Sequence, residues 1–212
     1  MHASAPAETS AATARPGRLR WRVVDIVVAA VLGVAIGLIF WAWNTIGYAW
    51  FTAMDALTPG LGGIAVGIWL LGGVMGGLVI RKPGAAILVE VIASVVSMLI
   101  GNVWGVSTVF EGFVQGVGAE LVFAIFLYAR FTLPVSMLAG AVAGVGSWVF
   151  ELFYGPGANI QKSLEFNLIY LGTILVSGAL LAGLVGWLLV RALAATGALS
   201  RFAAGREARR EV

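Results

Sequence analysis

Residues 21–44 read WRVVDIVVAAVLGVAIGLIFWAWN, and the run from Val23 to Trp43 within them decides the class of this chain. A helix that crosses the hydrocarbon layer takes roughly 20 apolar residues at 1.5 Å each, and this run is long enough. No apolar segment precedes the arginines of the tail between Met1 and about Gly17, and no small-residue cleavage pattern follows the run. The run therefore reads as a membrane-spanning helix and not as a cleaved signal peptide.

Working outward, the same pattern recurs. Hydrophobic residues make up 60% of the 212 positions and charged residues 11%. The mean hydropathy of +0.99 exceeds what a soluble domain of this length shows. Apolar stretches fall at about 23–43, 62–80, 84–102, 113–130, 133–154 and 166–191, cut by short polar or Gly/Pro segments. The expected fold is an all-α integral membrane protein, a bundle of six transmembrane helices. Residues 1–20 read as a disordered cytoplasmic tail, 21–195 as the membrane domain, and 196–212 as a basic cytoplasmic tail.

Charge orients the bundle. The cations sit in the N-terminal tail (Arg15, Arg18, Arg20, Arg22), in turns at Arg81-Lys82 and Arg130, and towards the C-terminus (Arg191, Arg201, Arg206, Arg209, Arg210). Of the 13 Lys and Arg residues only Lys162 lies elsewhere. Lys and Arg are retained on the cytoplasmic side during insertion, so both termini are expected inside. The loops at about 44–61, 103–112 and 155–165 then face outside, carrying Asp55, Glu111 and Glu165.

Composition also excludes chemistry. There is no cysteine, and the only histidine is His2 in the N-terminal tail. Disulfides, thiolate or histidine metal sites and histidine-based catalysis are therefore not expected in the membrane region. Lys82 and Lys162 lack a Walker A context, and no HExxH motif occurs. The expectation is a non-enzymatic protein without catalytic residue, metal or cofactor, and without nucleic acid as a partner. The basic clusters suit lipid headgroups.

Carboxylates inside spans are costly, and each is a candidate functional group. Glu90, Glu120 and Glu151 qualify. At 1.5 Å per residue, Glu151 lies about 5 Å, Glu120 about 10 Å and Glu90 about 18 Å below the outer helix ends. Glu120 and Glu151 are thus expected in a pocket open to the outside. Glu90 either lines its floor or is a structural acid held by backbone and hydroxyl groups. Trp43, Asn44, Asn102, Trp104, Asn167 and Tyr170 gather near the same ends. Acids, indole faces and amides together suit a flat, cationic, hydrogen-bonding organic ligand. A small-residue stripe on the first helix, Ala29, Gly33 and Gly37, permits close approach of another helix, and a partner subunit is the expected occupant.

The opening segment at 21–44, the EGFVQGVGAELVFA segment at 111–124 and the six-span layout resemble the substrate-capture (S) components of energy-coupling-factor (ECF) transporters, most of all the YkoE-type family. The resemblance covers 20–195. It implies a vitamin site near the outer face for thiamine or its hydroxymethylpyrimidine precursor, and a prokaryotic plasma-membrane location. It also implies two kinds of partner besides the bilayer, a membrane scaffold (T) subunit and ABC-type ATPases. The T-subunit contact would map to Ala29, Gly33 and Gly37, and the site to Glu120, Glu151 and Asn167 over Glu90. Toppling of the S component within the T subunit to deliver the vitamin is likewise implied. Two other readings remain open at this point: an S component for another vitamin, and a proton-coupled secondary carrier using Glu90 and Glu120. A third is a structural membrane subunit whose acids are merely satisfied.

Overall fold

The computed structural model describes residues 19–154, 158–200, 202, 204 and 205. The expected tail 1–20 lies almost wholly outside the described residues, as does most of 196–212. Six helices follow one another: α1 Val23–Leu57, α2 Leu61–Ile80, α3 Ala85–Ile100, α4 Ser107–Ile125, α5 Leu133–Phe153 and α6 Leu164–Ala195. Five of them are long and apolar enough to cross a membrane, and α3, at 16 residues, is the shorter sixth.

The first helix differs most from expectation. It runs 35 residues, so the segment expected as an outer loop from 44 is helix up to Leu57. The physical reason is local: between Trp43 and Leu57 nothing breaks a helix, and Thr58-Pro59-Gly60 is the first segment that does. Gly60 adopts φ 97, and its carbonyl accepts from Thr173 Oγ1 at 2.9 Å. At 1.5 Å per residue α1 is about 52 Å long, well beyond the roughly 30 Å hydrocarbon layer. Its last turns therefore stand above the bundle as a wall.

α2 is the central helix. It touches all five others, and 83% of its most apolar window is buried, against 33–44% in the other long spans. Its first half, Leu61–Leu70, is a 3₁₀ helix and its second half, Leu71–Ile80, is α-helical. The tighter winding rises about 2 Å per residue, so these 20 residues together reach about 35 Å. Glycines at 62, 63, 67, 72, 73, 76 and 77 let neighbouring helices approach this axis closely.

The stripe on α1 faces inward. Ala29, Gly33 and Gly37 are all buried. A Cβ built on Gly33 would stand 2.5 Å from Ile92 Cγ2, and one on Gly37 would stand 2.7 Å from Val96 Cβ. The helix that approaches the stripe is α3 of the same chain. The exposed residues of α1 over this stretch are instead Val27, Val31, Val34 and Leu38.

All the described cationic residues except Lys162 collect at one end of the bundle, the basic end. Here Asp25, at the start of α1, accepts from Arg22 at 2.9 Å and from Lys82 Nζ, while Lys82 also donates to the Arg20 carbonyl at 2.6 Å. Trp21 Nε1 adds a hydrogen bond to the Pro83 carbonyl at 2.9 Å. Together these contacts pin the entry of α1 to the α2–α3 turn.

Candidate ligand-binding pocket

A cavity of about 560 Å³ opens at the end opposite the basic one. Each wall has a local cause. The overhanging end of α1 supplies Asn44, Tyr48 and Phe51, and the 3₁₀ half of α2 supplies Trp69. α3 stops early at Gly101, which adopts φ 123. The following loop is organised by Asn102 Oδ1, which accepts from Trp104 N at 2.9 Å, Gly105 N at 2.8 Å and Thr108 Oγ1 at 3.2 Å. That turn aims the Trp104 ring into the cavity.

The aromatic residues form one connected box. Trp104 meets Tyr48 edge-on at 5.3 Å and Trp69 at 5.7 Å between ring centres. Phe51 meets Tyr170 at 6.0 Å, and Trp43 meets Trp69 at 6.5 Å from behind. Such edge-to-face pairs fix the orientation of the rings relative to one another. Asn44 locks two elements together. Its Nδ2 donates to Ser97 Oγ at 2.8 Å, and its Oδ1 accepts from Trp69 Nε1 at 2.8 Å.

The acidic side of the cavity is built by α4, α5 and α6. Glu111 Oε1 accepts from Ser147 Oγ at 2.8 Å and from Gln115 Nε2 at 3.0 Å. Glu151 accepts from Asn159 Nδ2 at 3.3 Å, and its carboxyl neighbours both the Tyr170 hydroxyl and the Glu111 carboxyl. Lys162, which lines the same cavity, sits 4.0 Å above the Phe166 ring. The result is a chamber lined both by aromatic rings and by two carboxyl groups, with Tyr170 belonging to both sets. Such an arrangement holds an organic cation by its charge and an amino-heterocycle by its donor edge.

Of the residues expected at a binding site, the structure brings Asn44, Trp104, Glu151 and Tyr170 into the lining. Trp43 and Asn167 stand one layer behind: Trp43 Nε1 donates to the Ala65 carbonyl at 2.9 Å. Asn167 Nδ2 donates to the Asn159 carbonyl at 2.8 Å, holding the loop that carries Asn159 and Lys162. Asn102 shapes the loop as described.

Two acids are elsewhere. Glu120 does not lie about 10 Å from the pocket end. α4 begins at Ser107 and not near 113, so Glu120 is about 20 Å down the helix. There it accepts from Gly84 N at 2.7 Å, Ala86 N at 2.9 Å and the Tyr128 hydroxyl at 2.7 Å, capping the start of α3 at the basic end. Burial and the adjacent Glu120 carboxylate push the Tyr128 phenol above its usual range. Glu90 is fully buried beneath the floor. It accepts from the buried Gly73 amide, close to where the 3₁₀ half of α2 gives way to α-helix, and Ser94 and Ser97 above it form the lining.

Glu111, Trp69, Tyr48, Phe51 and Lys162 were not expected here. Glu111 had been placed in a loop, although its spacing of four from Gln115 is the helical signal that puts both on one face.

Residues 24–146 match the family described as "ABC-type cobalt transport system, permease component". The chain is 37% identical over 202 residues to the "Putative HMP/thiamine permease protein YkoE" of Bacillus subtilis (strain 168), covering 90% of this chain and 94% of that one. A solved structure, "Crystal structure of an S-component of ECF transporter", superposes with a TM-score of 0.76 at 33% identity. That match covers 91% of this chain and 95% of the other. The fold is thus that of a multi-pass membrane substrate-binding subunit. The chain belongs to the YkoE-type S components of ECF transporters.

Proposed function

We propose that the chain captures thiamine or its hydroxymethylpyrimidine precursor in the aromatic pocket, as the S subunit of an ATP-driven importer in a prokaryotic plasma membrane. One observation carries the reading. Two carboxyl groups, Glu111 and Glu151, and a cluster of aromatic rings line one cavity of about 560 Å³, within the 300–1,000 Å³ usual for small-ligand sites. Thiamine offers what such a chamber selects. Its aminopyrimidine edge donates to carboxylates and amides, and its thiazolium ring carries a positive charge that π faces attract. The name of the Bacillus subtilis relative, an HMP/thiamine permease, supports the same ligand class.

The pocket opens to the outside and both termini lie in the cytoplasm, because the cationic residues gather at the opposite end. A membrane T subunit and ABC-type ATPases supply the energy, since the substrate-binding subunit has no nucleotide motif of its own. A thermal-shift screen of the purified protein against thiamine, hydroxymethylpyrimidine, riboflavin and biotin tests the reading. Stabilisation by the first two alone is expected, and stabilisation by a different vitamin alone overturns the ligand assignment.

A further inference from the structure

Lys162 is the one described cation that stands at the pocket end, and the retention of Lys and Arg on a single side of the membrane does not account for it. Among the described residues that line the aromatic pocket it is the only cation, and Glu111 and Glu151 are the only carboxylic acids. A short turn holds it close to one of them. Lys162 N donates to the Asn159 carbonyl at 3.0 Å, and Asn159 Nδ2 donates to Glu151 at 3.3 Å. Lys162 is exposed, which puts it at the rim of the cavity, and its ammonium sits 4.0 Å from the centre of the Phe166 ring. Phe166 in turn stacks on Tyr170 at 5.6 Å, and the Tyr170 hydroxyl neighbours the Glu151 carboxyl. The ring face attracts the ammonium and so keeps a positive charge at the rim, within electrostatic reach of Glu151.

We propose, resting on the reading of this pocket as a vitamin site, that Lys162 is a specificity-determining residue that shifts the pocket's preference from the cationic thiamine towards the neutral hydroxymethylpyrimidine. Both ligands offer the same aminopyrimidine edge to the acids and amides, so those contacts do not tell them apart. They differ by the thiazolium charge. The acids and the aromatic rings all attract a cation, and a pocket built from them alone would favour thiamine. An ammonium in the same lining repels the thiazolium and leaves an uncharged ligand untouched. The sign of that effect is the same whether the acid pair carries one negative charge or two. Lys162 thus supplies the repulsive element through which a site discriminates between two ligands that share their attractive contacts.

Calorimetric titration of both ligands into the purified full chain, at a mildly alkaline pH where the aminopyrimidine is uncharged, tests this through the ratio of the two affinities. Lys162→Met should tighten thiamine binding about threefold, the scale of one exposed charge, and the charge reversal Lys162→Glu about tenfold. Hydroxymethylpyrimidine affinity should stay within about twofold in both variants. Lys162→Arg keeps the charge and can still stack on Phe166, so it should keep the wild-type ratio. The gains for thiamine should shrink as ionic strength rises. The turn is held through backbone atoms and the side chain is exposed, so all three variants should melt as the wild type does. An unchanged ratio in Lys162→Glu overturns the inference, as does an equal change for both ligands. Weaker thiamine binding in Lys162→Met also overturns it, and would make the lysine a direct ligand contact. Failure of the wild type to bind either ligand would overturn the vitamin reading itself, and this inference with it.

Discussion

Glu111 on α4 and Glu151 on α5 bring their carboxyl groups within hydrogen-bonding reach of one another at the wall of the aromatic pocket. Two facing carboxyl groups repel when both are charged, and a ligand cation placed against them relieves that repulsion. Gln115 and Ser147 fix the Glu111 oxygen, and Asn159 and Tyr170 fix Glu151, so neither acid is free to turn away. The pair is therefore prearranged for an incoming donor.

The aromatic wall is expected to contribute separately from the acids. Trp104→Ala should weaken thiamine binding by about 0.5–2 kcal/mol, the range of a cation–π contact. Trp69→Ala should cost at least as much, because it also releases Asn44 Oδ1 from its hydrogen bond. Equilibrium binding measurements on the two variants check this. A loss confined to Trp69→Ala would restrict the contact to α2.

Glu120 is expected to matter for folding and not for ligand. Glu120→Gln replaces a carboxylate that accepts three hydrogen bonds at the start of α3, at a cost of about 1.5–3 kcal/mol for each weakened charge-assisted bond. The variant should melt at a lower temperature in detergent while its vitamin affinity, measured below that temperature, stays within about twofold. A large affinity loss with unchanged melting would place Glu120 in the binding machinery.

Gly33→Leu is expected to damage the bundle itself. A Cβ at this position already meets Ile92 Cγ2 at 2.5 Å, so a longer side chain pushes α1 off α3. Thermal stability and ligand binding should fall together. Retention of both, with loss of transport alone, would return the stripe to an intermolecular role.

Orientation is open to labelling. Cysteines at Thr52 and Ile160, both exposed at the pocket end, should react with an impermeant maleimide in intact cells, and one at Thr196 at the basic end should not. The opposite pattern would invert the topology and make the pocket face the cytoplasm.

Much of this architecture was legible in the sequence, for physical reasons that differ by element. Six apolar runs separated by breakers gave the six helices because backbone groups in lipid must be satisfied within the segment. The end of α5, expected at 154, falls at Phe153. Where no breaker stood, the boundary moved. α1 continued past Trp43 to Leu57, and α4 began at Ser107, inside what had read as a loop. That six-residue shift in α4 accounts for the placement of both its acids, since it carries Glu111 into the pocket wall and Glu120 to the far end. The polar stripe of Glu90, Ser94 and Ser97 was visible from its spacing. Glu90 is instead held by the buried Gly73 amide of α2, a backbone contact that side-chain periodicity does not report. The small-residue stripe was likewise legible as a site of close approach, while the identity of the approaching helix was not, because a glycine face fits α3 and a foreign helix equally well.

Calorimetric titration of thiamine into the purified wild type and into Glu151→Gln tests the central claim most directly. The account predicts saturable binding at one site per chain in the wild type. In the glutamine variant, which keeps the size of the side chain and removes its charge, the affinity should be roughly ten- to a hundredfold weaker, as befits one desolvated charge-assisted contact. Equal affinity in the two proteins, with both still folded, would contradict the assignment of the acid pair as the seat of ligand recognition.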